Sequence, residues 1–179
     1  MKYAGFWSRL AAGVIDFVVF LPIMFLFAWL QRSSYAGSLI LVFPYWMLYS
    51  AYNIVLLAYD GQTVGKKIMR IRVTRIDGSR IGPKEAVLRH FVDVLFATTA
   101  GIGMLLAYRE TGADAFTSAY TWTERNRVIV SNIPRFASTA DTLSTVWLLS
   151  ELVVLLFNEK RRAIHDFIAE TVVVHVPKA

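Results

Sequence analysis

Long apolar stretches, broken at wide intervals by single charges, organise this chain. They cover roughly residues 9–30, 39–59, 91–108 and 142–158. Runs of this length read as spanning helices, because about 20 residues at about 1.5 Å each cross a hydrocarbon core about 30 Å thick. Between the second and third runs the period shortens to two. Ile71 and Val73 alternate with Arg70, Arg72 and Thr74, which predicts a strand. Asp77-Gly78 then supplies a hairpin turn, with a short return over 79–81, so a hairpin is expected over about 66–83. Pro83 with Lys84 and Glu85 opens the helix that becomes the third span. A second β-branched run, ETVVVHV, occupies 170–176. The polar segment 109–141 reads as an outer loop, with Tyr120, Trp122 and the RVIV run at 127–130 lying along the membrane interface. The pattern predicts an all-α membrane protein of one domain. It is a bundle of about four transmembrane helices with a small cytoplasmic β-hairpin or sheet that ties the end of the chain to its middle.

Composition agrees. Of the 179 residues 56% are hydrophobic, and the mean hydropathy is +0.48. A soluble domain of this size cannot bury so much apolar surface, so lipid must be the solvent for much of the chain. The first apolar run is longer than the 7–15 residues typical of a secretory leader and has no small-residue cleavage site after it, so it reads as an uncleaved span. With no cysteine, disulfides and thiolate metal sites are excluded.

The net charge of +6 is placed for topology rather than for nucleic acid. Lys66, Lys67, Arg70, Arg72, Arg75, Arg80, Lys84 and Arg89 crowd the region between the second and third spans, and Lys160, Arg161, Arg162 and Lys178 the tail. The segment 109–141 balances its arginines with acids. Basic segments stay on the cytoplasmic side, which puts both termini there. The hairpin cations Lys66, Lys67, Arg70, Arg72, Arg75 and Arg80 are candidates for contact with anionic headgroups or a partner protein. Small residues over 97–103 (ATTAGIG) offer a face for close helix approach, within the chain or in a homo-oligomer.

Charges inside the spans carry the candidate chemistry. An Asp or Arg at the centre of a spanning helix costs about 2.5–3.5 kcal/mol on insertion scales, so it needs a partner, a proton or water. Arg9 can reach the cytoplasmic interface, but Asp16, about two turns deeper, cannot. Asn53, Arg89, Asp93 and Glu151 fall in the same half of the membrane, and Asp166 lies just below it. Together with Arg9 and Asp16 they form a candidate polar cluster, with Asp166 paired to Arg9 or Arg89. No phosphate loop, nucleophile elbow or paired-histidine metal motif is present, so no catalytic residue and no cofactor is expected.

GFWSRLAAGVID, GQTVGKKIMRIRVTRIDG, an arginine opening the third span and RRAIHDFIAETVVV together resemble the RDD family of bacterial membrane proteins, in the family's order. The arginine and two aspartates that name the family match Arg9, Asp16 and Asp166. This chain departs at Glu170, where the family ending carries a small residue, usually glycine. The resemblance implies a multi-pass protein of the bacterial inner membrane with a transport role. Two functions follow as expectations, neither of them enzymatic. One is movement of protons or small cations through the Arg/Asp cluster. The other is a structural or assembly subunit of a membrane complex, docking a partner through its basic hairpin.

Overall fold

A computed structural model of the chain describes residues 1–119 and 121–177, so Tyr120 and Lys178 lie outside the described residues. It is mostly helical. In order it comprises α1 (Phe6–Ser33), α2 (Tyr35–Asp60), α3 (Val64–Ile68), β1 (Ile71–Arg75), α4 (Pro83–Ser118), α5 (Trp122–Ser131), α6 (Arg135–Phe157), α7 (Ile164–Ile168) and β2 (Thr171–His175). Helices α1, α2, α4 and α6 are long and apolar enough to span a membrane. No more than 22% of the most apolar 18-residue window in any of them is buried by protein. Apolar faces left uncovered to that extent fit helices solvated by lipid, where backbone groups must bond within the helix itself. Pro22 and Pro44 sit inside α1 and α2, each withholding one donor from the ladder, a loss that spanning helices tolerate where neighbouring groups satisfy the freed carbonyl.

Two compact units divide the chain. The first takes Met1–Leu21, Ser50–Val92 and everything from Val146 on; the second takes Pro22–Tyr49 and Asp93–Thr145. In the first unit the start of α1, the end of α2, the start of α4 and the end of α6 come together with all the non-helical structure of 61–82 and 158–177. Residues 1–5 and the described tail, 171–177, therefore lie together in this unit. Strands β1 and β2 pair antiparallel, with Val73 opposite Val173 and Ile71 opposite His175. Tyr3 bridges Val174 on the far edge, and the Ala4 amide donates to the Val173 carbonyl at 2.8 Å. The sheet of middle and tail strands is present, whereas the return arm of the hairpin shrinks to a single bridge, Thr74 to Arg80. Asp77 and Gly78 do turn the chain, with Asp77 accepting from the Ser79 amide at 2.8 Å. The return stops there because Gly82 and Pro83 at once begin α4, the Gly82 amide donating to Glu85 at 2.7 Å. Leu57, Ile71, Val73, Ala86 and Val173 form the buried core under this small cap.

In the second unit the expected loop over 109–141 is instead largely helical. The helical stretch of α4 continues to Ser118, broken at Gly112, whose φ of 71° breaks the helical course. Thr121 and Glu124 then form a reciprocal capping box that starts α5. The RVIV run lies in this helix, and its Ile129 packs with Val42, Ala107 and Phe116.

The small residues of 97–103 are used within the chain. A Cβ on Gly101 would stand 3.2 Å from the Phe43 ring, and one on Gly103 only 2.2 Å from the Ala137 Cβ. Gly103→Val is therefore expected to force α6 away from α4, lowering stability by about 1–3 kcal/mol through overpacking. Thermal unfolding of the purified variant in detergent would read this, and an unchanged midpoint would contradict it.

Candidate functional site

Two buried carboxylates, Asp16 and Asp166, dominate the polar interior of the first unit, and each has its own circle of donors. Asp16 is deep in α1 and is 1% exposed. Tyr52 of α2 donates its hydroxyl to Oδ1 at 2.8 Å, and the Gly65 amide donates to the same oxygen at 2.7 Å. Thr63 donates to Oδ2 at 2.5 Å. Thr63 is also the N-cap of α3, its hydroxyl accepting from the Lys66 amide. Gly65 is required sterically, because a Cβ there would lie 2.0 Å from the Ala12 carbonyl oxygen. The sequence GQTVGKK thus folds as a short helix whose first turn is pressed against α1 and satisfies its aspartate. Among the described residues no guanidinium is bonded to Asp16.

Lys66 belongs to this group. It is half-buried, with Nζ 3.4 Å from the Thr63 hydroxyl. Desolvation foremost, and then Arg89, push its ammonium down to about 8, against the opposing pull of Asp16.

Asp166, on α7, is fully buried. Oδ2 accepts from Arg9 of α1 at 2.5 Å and from the Ala163 amide at 3.0 Å. Oδ1 accepts from Arg89 of α4 and from the Thr171 hydroxyl at 3.3 Å. The reach back to Ala163 caps α7, a task Ala163 itself cannot perform. Burial alone would push the Asp166 carboxyl up; Arg89 first, with Arg9, outweighs it and holds the group well below the usual carboxylate range. The arginines are tied down in turn. Arg9 donates to the carbonyls of Ala4 and Arg161, at 3.3 and 2.5 Å. Arg89 also donates to Thr171 at 2.8 Å, and its second nitrogen is 2.8 Å from His165 Nε2. A guanidinium can only donate, so that imidazole nitrogen accepts. His165 Nδ1 lies 2.6 Å from Glu151 Oε2, and its backbone amide donates to Glu151 Oε1 at 2.9 Å. Arg162, buried, donates to the carbonyls of Thr171 and Asp166 and stacks 4.0 Å over the Phe167 ring.

The expected cluster is thus resolved into parts. Arg9, Arg89, Asp166 and Glu151 share one network, and Asp16 sits in another with Lys66. Asn53 is buried in the same unit, next to Tyr52 in sequence. Asp93 is exposed and belongs to the second unit. Of the hairpin cations, Lys67 pairs with Asp60 at 2.7 Å, Arg72 with Asp60 at 3.4 Å and Arg75 with Glu85 at 2.7 Å. Arg70 and Arg80 are exposed. Sequence reasoning missed Thr63, Gly65, Arg162 and Thr171. A threonine placed to cap the helix begun by VGKK was the one available sign of the first two. Glu170 takes a φ of 53°, the left-handed region that glycine enters freely, which explains why a small residue suits this position.

The chain is 30% identical over 115 residues to the uncharacterised protein YckC of Bacillus subtilis (strain 168), covering 61% of this chain and 75% of that one. No solved structure matches. The RDD family matches residues 3–170, which takes in α1 with its Arg9 and Asp16, all four spans and α7 with Asp166. This chain, a membrane protein by its four apolar helices, belongs to the RDD family.

Proposed function

We propose that this chain is a non-catalytic structural or assembly subunit of the bacterial inner membrane, with both termini in the cytoplasm. Its two aspartates are clasps that fasten a rigid cytoplasmic cap to the spanning helices. One observation carries the reading: the oxygens of both carboxylates are occupied by donors of the chain itself. A carboxylate that carries ions needs an open position for the cation. Asp166 is further disfavoured as a proton carrier, because a carboxyl held far below the usual range does not protonate near neutral pH. Among the exposed cations of the cap, Arg70 and Arg80 have no side-chain hydrogen bond or ion pair to another described residue and are presented to an acidic partner surface.

A second reading, transport of protons or small cations, rests on Lys66. An ammonium near 8 beside the Thr63 hydroxyl, which in turn donates to Asp16, can exchange a proton close to physiological pH. Flux in proteoliposomes of the purified protein decides between the two. With a pH-reporting dye inside and imposed sodium, potassium or lithium gradients, exchange is expected to equal that of protein-free vesicles. Exchange that a folded Asp16→Asn variant abolishes would overturn the structural reading and establish the second.

A further inference from the structure

A groove of about 880 Å³ opens beside the start of α1 and the end of α6. One side is polar, with the cations Lys2 and Arg161 and the imidazole of His175; the other is apolar, with Trp7, Leu152 and Leu156. Among the described residues, no carboxylate lines it. Among the described residues, none of these three side chains has a hydrogen bond or ion pair, in contrast to those of Arg9, Arg72, Arg75 and Arg89. The Arg161 guanidinium lies across Gly5, where even a Cβ would be 2.3 Å from its Nη1. That places it next to the first turn of α1, which has no acidic residue. A helix start carries partial positive charge, so cations gathered there repel it and each other unless an anion joins them.

The depth of the groove identifies that anion. Its walls are the first turn of the span Phe6–Gln31 and the last turns of the span Arg135–Phe157, which is where hydrocarbon gives way to headgroups. Trp7 is 76% exposed and Leu156 58%, so the apolar wall faces outward at the level favoured by interfacial aromatics.

We propose that this groove is a binding site for one anionic phospholipid. The phosphate sits among Lys2, Arg161 and His175, and an acyl chain follows Trp7, Leu152 and Leu156. It is separate from the basic hairpin and from both aspartate networks, and does not depend on the function proposed above.

Native mass spectrometry of the detergent-purified protein tests it, titrating phosphatidylglycerol against phosphatidylcholine and counting retained lipid. The wild-type protein is expected to keep one phosphatidylglycerol in preference. A juxtamembrane cation contributes about fivefold in affinity, so Lys2→Gln with Arg161→Gln is expected to weaken that binding by about 25-fold. Arg70→Gln with Arg80→Gln should leave it unchanged. Should the first pair fail to fold, Lys2→Gln alone, on an exposed side chain, is expected to cost about fivefold. The proposal is overturned if the Lys2 and Arg161 variants bind as the wild type does, or if the Arg70 and Arg80 pair loses the lipid equally, which would mean general surface attraction. It is also overturned if soluble glycerol phosphate displaces the lipid at comparable concentration, since the site would then recognise phosphate without the chain.

Discussion

Asp166→Asn is expected to lower the stability of the protein by about 3–5 kcal/mol, the range for breaking a buried ion pair from one side. The carboxylate accepts from two arginines on two spanning helices. An amide has one oxygen and presents its NH₂ group to the other guanidinium. Arg89, 5% exposed, would then be held near Arg9 with its directly bonded counter-charge gone. The cap of α7 at Ala163 and the bond from Thr171 use different oxygens, so the amide, with one oxygen, keeps at most one of these two as an acceptor. Thermal unfolding in detergent measures the loss, and trypsin cleavage at Lys160 and Arg161 should accelerate as the cap loosens. Wild-type values of both would show that the pair contributes nothing. The acid dependence has a definite sign. The folded-state pKa of Asp166 lies below its unfolded value, so the stabilisation is complete above about pH 4 and is lost progressively as pH falls below that. The Asn variant should lose this part of the acid sensitivity.

Asp16 is expected to behave differently, because its partners are neutral. In Asp16→Asn the remaining oxygen still accepts from Tyr52 and Gly65, and the Thr63 hydroxyl can rotate to accept from the new NH₂ group. Removing a buried charge also removes its desolvation penalty, so the change should be within about 1 kcal/mol. Asp16→Ala leaves all three donors unpaired in the interior. At about 1–3 kcal/mol for each, it should cost at least about 3 kcal/mol and release α3 from α1. The comparison of unfolding midpoints bears on function as well. If Asn is as damaging as Ala, the charge itself is what the site needs, and an ion-handling role gains ground over a clasp.

Much of this could be read from the chain before any coordinates. Four spans follow from run length alone, and the alternation over 70–74 and the β-branched run at 170–176 marked the two strands that pair. Arg9, Asp16 and Asp166 stood out because a charge in an apolar run must be accounted for energetically wherever it lies. The partners of Asp16 were hidden for the opposite reason. Thr63 and Gly65 are ordinary residues in a polar segment, and their importance comes from a close approach to Ala12 that no local pattern encodes. The segment 109–141 misled because its polarity resembles a loop, while its helices depend on a capping box and on packing of Ile129 against Val42 and Phe116. The glycines of 97–103 announced tight helix contact, yet not whether the contact lies within the chain or between copies.

What the sequence determined by itself, then, is the solvent of the chain, the number of its spans, the presence of a small sheet and the identity of the charges that need partners. These depend on local hydrophobicity, residue period and the desolvation cost of a single group. Only the tertiary structure decided that the charges divide into two networks, that Asp166 bridges Arg9 and Arg89 while Asp16 has only neutral donors and a nearby lysine, and that two cations and an imidazole converge on an amphipathic groove at the end of two spans. Such pairings join residues up to 157 positions apart. They are chosen by which side chains the packed helices bring within about 3 Å, since a hydrogen bond weakens steeply beyond that reach.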